Sequence, residues 1–172
     1  NSLKKYFENT INLGNGIDLN KFKVLKNIKQ KKNVILFAGR FDKIKGIREL
    51  VNVAKQLPKY EFWFAGQGSL DKLINGKNIK NLGFQNTKEL VKLYNQATMC
   101  VFPSWHEPFG LVGFEAMACG KPITATPLGF SEYIEDNKDG IIIPAKNEKA
   151  LKDAIVKLME DKKLREKLSK NA

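Results

Sequence analysis

Six short, largely apolar runs recur along the chain: Val34–Ala38, Phe62–Ala65, Ile79–Leu82, Met99–Phe102, Ile123–Thr126 and Ile141–Ile143. They are nearly continuous rather than alternating, the pattern of strands buried on both faces. Helical periodicity fills several of the gaps. Leu50, Val53, Ala54 and Leu57 recur at i, i+3, i+4, i+7, as do Leu90, Leu93, Tyr94 and Ala97, and Leu151, Ala154, Ile155 and Leu158. Asn86 stands where an N-cap would, with Glu89 at the third helical position, and Pro58 and Gly120 punctuate helix ends. Strands alternating with helices predict an α/β domain with a Rossmann-like parallel sheet and helices on both faces. Ligands of such sheets bind beyond the carboxyl ends of the strands, so each loop that follows a strand is a candidate contact.

Residues 1–30 stand outside this alternation. Asn15-Gly16-Ile17-Asp18 is a turn signal, and the Lys-rich stretch after it reads as an approach segment to a domain spanning residues 31–172. The chain opens Asn1-Ser2-Leu3-Lys4-Lys5, with no signal-peptide pattern and no initiator Met, which suggests a piece of a longer protein. A length of 172 residues with 42% apolar content suits one domain with a sizeable core. No run approaches the roughly 20 apolar residues needed to cross a bilayer. Cys100 and Cys119 lie in apolar surroundings and read as buried free thiols of a reducing compartment.

The formal net charge is +12, with lysines spread along the whole chain. A solvated basic surface explains this, and attraction to phosphates or to an anionic membrane surface is the sharper alternative. A nucleic-acid-binding module would need clustered Lys and Arg with exposed aromatics on one face. Most aromatics here fall at core positions, so nucleic acid is not expected as a partner.

Chemistry concentrates in the strand-end loops. Gly39-Arg40 is followed by Lys45-Gly46 just before a helical run, a setting that suits an anion; two solvated surface cations is the plainer reading. Gly66-Gln67-Gly68 and Gly83-Phe84-Gln85 are ordinary turns that could also admit a base. The fourth loop carries Glu107, eight positions before Glu115, with Pro108 and Gly110 shaping the turn. The amides of Phe109, Gly110 and Leu111 are then free at a helix start to meet hydroxyls or phosphate. Exposed acids are the competing reading for both glutamates. His106 is the single histidine and is expected to be structural or exposed; one His and two distant Cys make no metal-ligand set. Ser131 is read as the cap of a short helix.

Taken in order, these loops resemble the C-terminal, donor-binding domain of retaining GT-B glycosyltransferases of the group 1, family-four type. That group includes enzymes like glycogen synthase and lipopolysaccharide or phosphatidylinositol mannosyltransferases. The resemblance covers nearly the whole chain and rests on a Glu-x7-Glu pattern (Glu107 to Glu115), on Gly39-Arg40 with Lys45-Gly46, on Gly120-Lys121-Pro122-Ile123, and on Asp139-Gly140. It implies transfer of a sugar from a nucleotide diphosphate sugar to a glycan, lipid or other acceptor. Arg40 and Lys45 would grip the diphosphate, and Glu107 would lie beside the transferred sugar. Amides from Phe109 through Gly110 and Leu111 to Val112 would bind sugar and phosphate, Glu115 would hold the ribose, and Gly66, Gly83 and Phe84 would meet the nucleotide. It also implies no cofactor or metal, an N-terminal acceptor domain in the parent chain, and a cytoplasmic location with peripheral contact at the inner membrane face. A sugar-nucleotide epimerase or a phosphorylase is the alternative of the same fold, although no setting for a pyridoxal-phosphate lysine is evident. The loop after the fifth strand departs from the pattern: Phe130 stands where a second glycine is usual, so its ring would either crowd the sugar or turn away.

Overall fold

The structure is a computed structural model that describes residues 15–171. Six parallel strands form one sheet: β1 (Val34–Ala38), β2 (Glu61–Ala65), β3 (Ile79–Gly83), β4 (Met99–Phe102), β5 (Ile123–Ala125) and β6 (Ile141–Ile142). Their spatial order is β3-β2-β1-β4-β5-β6. The order reverses beside β1, where the chain, having built outward to β3, returns to place β4 on the other side. This is the switch point at which doubly wound sheets open a crevice.

Alternation within each strand divides the core in two. Ile35 and Phe37 of β1 face α1 (Ile47–Gln56), α5 (Glu148–Glu160) and α6 (Lys162–Asn171). Val34, Leu36 and Ala38 face the layer that holds α2 (Thr87–Gln96) and α3 (Leu111–Ala118). The predicted helical stripes are the buried faces of α1 and α5, whereas α2 buries Val91, Tyr94 and Asn95 and leaves Leu90 and Leu93 only partly covered; Asn86 caps α2 by accepting from the Glu89 amide at 3.0 Å. The expectation of strands buried on both faces fails at β3. It is an edge strand, and its Lys80 and Asn81 are exposed. The pattern also gave no sign of α6, whose Leu164 and Leu168 meet the core while lysines cover the rest. Ser131 does cap a short helix, at its C-terminal end. It follows the distorted turn α4 (Pro127–Phe130), and its hydroxyl donates back to the Pro127 carbonyl at 2.7 Å.

Residues 1–14, part of the approach segment, lie outside the described residues. The rest of that segment packs along α2. Phe22 is buried against Tyr94, and the Asn95 side chain accepts from the Leu25 amide at 2.7 Å and donates to the Lys23 carbonyl at 3.0 Å. Cys100 and Cys119 are free and buried, as expected; burial pushes both thiols up, Cys119 to about 11. Among the described residues no helix is long and apolar enough to cross a membrane.

Candidate functional site at the sheet switch point

The loops after β1 and β4 meet where the strand order reverses, and two adjoining clefts open there. The first, about 350 Å3, lies between Gly39, Arg40 and Lys45 on one side and Glu107 through Val112 on the other. The second, about 500 Å3, runs toward the ends of β2 and β3 and is lined by Gly66, Gln67, Phe84 and Glu115. Ala38, Gly39, Arg40 and Val112 belong to both. Sequence-predicted residues from four separate loops thus converge on one continuous depression.

Lys45 ends a 3-10 turn (Lys43–Lys45) ahead of α1. Its ammonium donates to Glu107 Oε2 at 2.6 Å, and the two side chains are only 15% and 12% exposed. Arg40 is the opposite case: its side chain is 71% exposed, with Nε 3.2 Å from Asp42 Oδ2, a surface pair that costs little to exchange for a ligand.

Gly110, at φ 78°, turns the chain into α3 in the left-handed conformation that favours glycine. A Cβ there would also lie 2.5 Å from the Phe130 ring. No side chain caps α3, so its first amides and the positive end of its dipole face the cleft. Tyr133 braces the turn by donating to the Gly110 carbonyl at 2.6 Å, and its ring stacks on Phe114 at 3.7 Å. The loop after β5 closes against the same turn. Gly129 has no Cβ to collide with the Glu107 carbonyl, and the Thr126 hydroxyl donates to the Ser104 carbonyl at 2.6 Å. Phe130, the departure in this loop, turns inward: it is fully buried and stacks on Phe102 at 5.7 Å.

Glu115 projects from the second turn of α3 into the second cleft. The Tyr94 hydroxyl donates to its Oε2 at 2.9 Å. Burial raises the Glu115 pKa, and the Tyr94 hydrogen bond works against that rise. Phe84 is 71% exposed at the outer rim, whereas Gly83 turns the end of β3 at φ 66° without lining the cleft. Gly66 is glycine for a packing reason, since a Cβ would run into the Gly39 carbonyl. His106 is exposed. Among the described residues no three His, Cys, Asp or Glu side chains gather as an ion-holding group.

Two tyrosines of this region, Tyr94 and Tyr133, escaped the sequence reading. Tyr94 was counted as one more apolar position of α2. The available signal was chemical: a Tyr on a buried stripe needs a partner for its hydroxyl. A larger cleft, about 660 Å3, lies at the other end of the sheet between α6 and Val24, Gln30 and Pro122. It holds none of the predicted donor-site residues, although Gly120, Lys121 and Pro122 of the sequence motif line it, and its one buried cation, Lys121, is committed to the Asn95 carbonyl at 3.1 Å.

The fold is a doubly wound α/β domain that gathers cations, acids and an uncapped helix start at its switch point. The chain belongs to the glycosyl transferases group 1 family, whose model matches residues 19–172. A glycosyltransferase of Methanocaldococcus jannaschii described as uncharacterized is 33% identical over 147 residues, which cover 81% of this chain and 42% of that protein. The crystal structure of the C-terminal domain of a glycosyl transferase group 1 family protein from Francisella tularensis matches with a TM-score of 0.77 and 26% identity, over 91% of this chain and 94% of that one. Sucrose-phosphate synthase from Thermosynechococcus elongatus matches with a TM-score of 0.81 and 29% identity, over 91% of this chain and 45% of that one. The fold is the C-terminal half of the GT-B arrangement, and the chain spans less than half the length of the curated relative.

Proposed function

We propose that this chain is the donor-binding half of a retaining glycosyltransferase that takes a sugar from a nucleotide diphosphate sugar. The observation that carries the reading is the meeting of Arg40, Lys45, Glu107 and the uncapped start of α3 in one cleft that continues to Glu115. Arg40 and Lys45 bind the diphosphate, with the amides around Phe109 to Val112 beside them. Glu107 lies next to the transferred sugar, Glu115 accepts from the ribose hydroxyls, and Phe84 covers the base near Gly66 and Gly83.

Departure of the diphosphate leaves positive charge on the sugar and builds negative charge on the leaving oxygens. Two cations and a helix start fixed beforehand at those oxygens stabilise that state without reorganising. Glu107 stabilises the sugar cation electrostatically, and attack on the face that the diphosphate leaves gives retention. No step is assigned to a covalent adduct, a cofactor or a metal ion. Lys45 reaches the diphosphate by exchanging its bond to Glu107 for one to phosphate, which releases Glu107 toward the sugar. The acceptor and the opposite wall of the cleft come from a partner domain of the same protein. The parent works in the cytoplasm, and the +12 charge supports peripheral contact with an anionic membrane face.

Calorimetric titration with UDP-, GDP- and ADP-sugars and with a generic oligonucleotide tests the reading. One nucleotide sugar is expected to bind, and Arg40→Ala and Glu115→Gln should each weaken it by roughly tenfold. Tight, salt-sensitive oligonucleotide binding with no nucleotide-sugar binding would overturn the function. Unchanged donor affinity in both variants would overturn the site.

A further inference from the structure

Tyr94 is completely buried between α2 and α3, yet it keeps its hydroxyl 2.9 Å from Glu115 Oε2 and 3.4 Å from the Val112 carbonyl. Phe22 packs on the ring edge-on, with centroids 6.4 Å apart. Among the described residues it is the one hydrogen-bond donor to the Glu115 carboxylate. From this geometry we infer that Tyr94 is a positioning residue of the nucleotide site: it fixes one carboxylate oxygen of Glu115 and leaves the other to accept from the vicinal hydroxyls of a ribose. The inference rests on the donor-binding reading above and adds to it the residue that makes Glu115 selective for a ribonucleotide.

The chemistry requires such a support. A free carboxylate rotates, whereas a vicinal diol is recognised best by an acceptor held in one orientation, because the ordering cost is then already met. A half-buried carboxylate also accepts from hydroxyls more strongly when ionised. Burial opposes ionisation of Glu115, and the Tyr94 donor favours it. Other ionisable groups near the pair are the Cys100 and Cys119 thiols, kept protonated by burial, the Lys121 ammonium beyond them, and Arg40 on the rim of the same cleft. None of these donates to the carboxylate among the described residues. Loss of the hydroxyl should therefore raise the Glu115 pKa further, and ribonucleotide binding should then fail at a higher pH as pH is lowered.

Tyr94→Phe removes the hydroxyl and keeps the ring. The probe is whichever of UDP, GDP and ADP binds best, compared with its 2′,3′-dideoxy counterpart by calorimetry across pH. The wild-type chain should prefer the ribonucleotide, and Tyr94→Phe should shrink that preference by roughly tenfold and move the acid limb of the binding curve upward. Combining it with Glu115→Gln should add little, because both changes remove one interaction. Phe22→Leu, which loosens the ring without touching the hydroxyl, should lower the melting temperature and leave the preference intact. In the wild-type chain the Tyr94 hydroxyl proton should exchange slowly by NMR and shift when nucleotide binds, a readout that does not depend on any variant folding. A wild-type preference and pH profile retained in Tyr94→Phe, or a hydroxyl proton indifferent to nucleotide, overturns the positioning role and leaves the donor-binding reading standing. Equal binding of ribo and dideoxy forms by the wild type removes the ribose role of Glu115, and the inference with it. Failure of all three diphosphates to bind removes the functional reading itself.

Discussion

Lys45 and Glu107 lie 62 positions apart in sequence and satisfy each other across the first cleft. Spacing could put both in strand-end loops but could not say that they bond, because that contact depends on the strand order that sets β1 beside β4. With little of either side chain exposed, the pair lies between a surface ion pair and a buried one. Lys45→Ala leaves Glu107 without its donor, and we expect a stability loss of about 1–3 kcal/mol by urea denaturation together with a roughly tenfold loss of nucleoside diphosphate affinity. Glu107→Gln should separate the two effects. The amide still bonds the ammonium but no longer neutralises it, so a free nucleoside diphosphate should bind several-fold more tightly while sugar transfer by the full-length parent falls. If both variants weaken diphosphate binding equally, Lys45 and Glu107 serve the ligand as a fixed unit and the exchange of partners does not occur. Phe130 shows the other limit of reading single residues. Its place in the loop was legible, but the direction of its ring was set by the vacancy over the glycines of α3, which only the packed structure reveals.

At the scale of elements, most of the sheet was legible because burial on both faces leaves an uninterrupted apolar signature, and the helices followed from their periodicity. What was lost has a physical cause in each case. In the edge strand β3, exposed Lys80 and Asn81 interrupt the apolar run between Ile79 and Leu82. α6 carries so many lysines that two leucines do not make a stripe. The approach segment looked detached because its bonds run to Asn95, a polar residue on a helix face. Asn95 is almost fully buried and ties Lys23 and Leu25 to α2. Asn95→Ala should therefore cost about 2–3 kcal/mol and expose the Lys-rich stretch after Phe22 to trypsin while the sheet remains protected. The uncapped start of α3 makes an opposite prediction. Gly110→Ala forces a Cβ into the Phe130 ring at a left-handed backbone position, so it should destabilise the chain by about 1–3 kcal/mol. It should also weaken diphosphate binding, since the amides of Leu111 and Val112 would no longer point into the cleft. Tyr133→Phe, which deletes only the bond to the Gly110 carbonyl, should do both more mildly.

For the whole molecule, the position of the candidate clefts follows from topology once the strands are known. A parallel sheet with order β3-β2-β1-β4-β5-β6 can open a ligand crevice where the order reverses, and the candidate residues Arg40, Lys45 and Glu107 lie in the loops after β1 and β4. The +12 charge acts on a longer scale than those loops. It attracts any phosphate toward the molecule but cannot tell a nucleotide sugar from an oligonucleotide; in the proposed function that discrimination belongs to Arg40, Lys45, Glu115 and the start of α3. The two contributions separate in kinetics. Fields from spread lysines are screened over about 10 Å at 0.1 M salt, whereas contacts inside the cleft are screened much less. Raising salt from about 0.02 M to 0.2 M should thus lower the association rate of a nucleoside diphosphate several-fold and change its dissociation rate little. The double variant Arg40→Ala, Lys45→Ala retains most of the basic surface, so its association rate should keep most of that salt dependence while its dissociation rate rises. Stopped-flow measurements on both proteins decide the matter: a dissociation rate that follows salt as steeply as the association rate would mean that the ligand is held by the diffuse basic surface and not by the cleft.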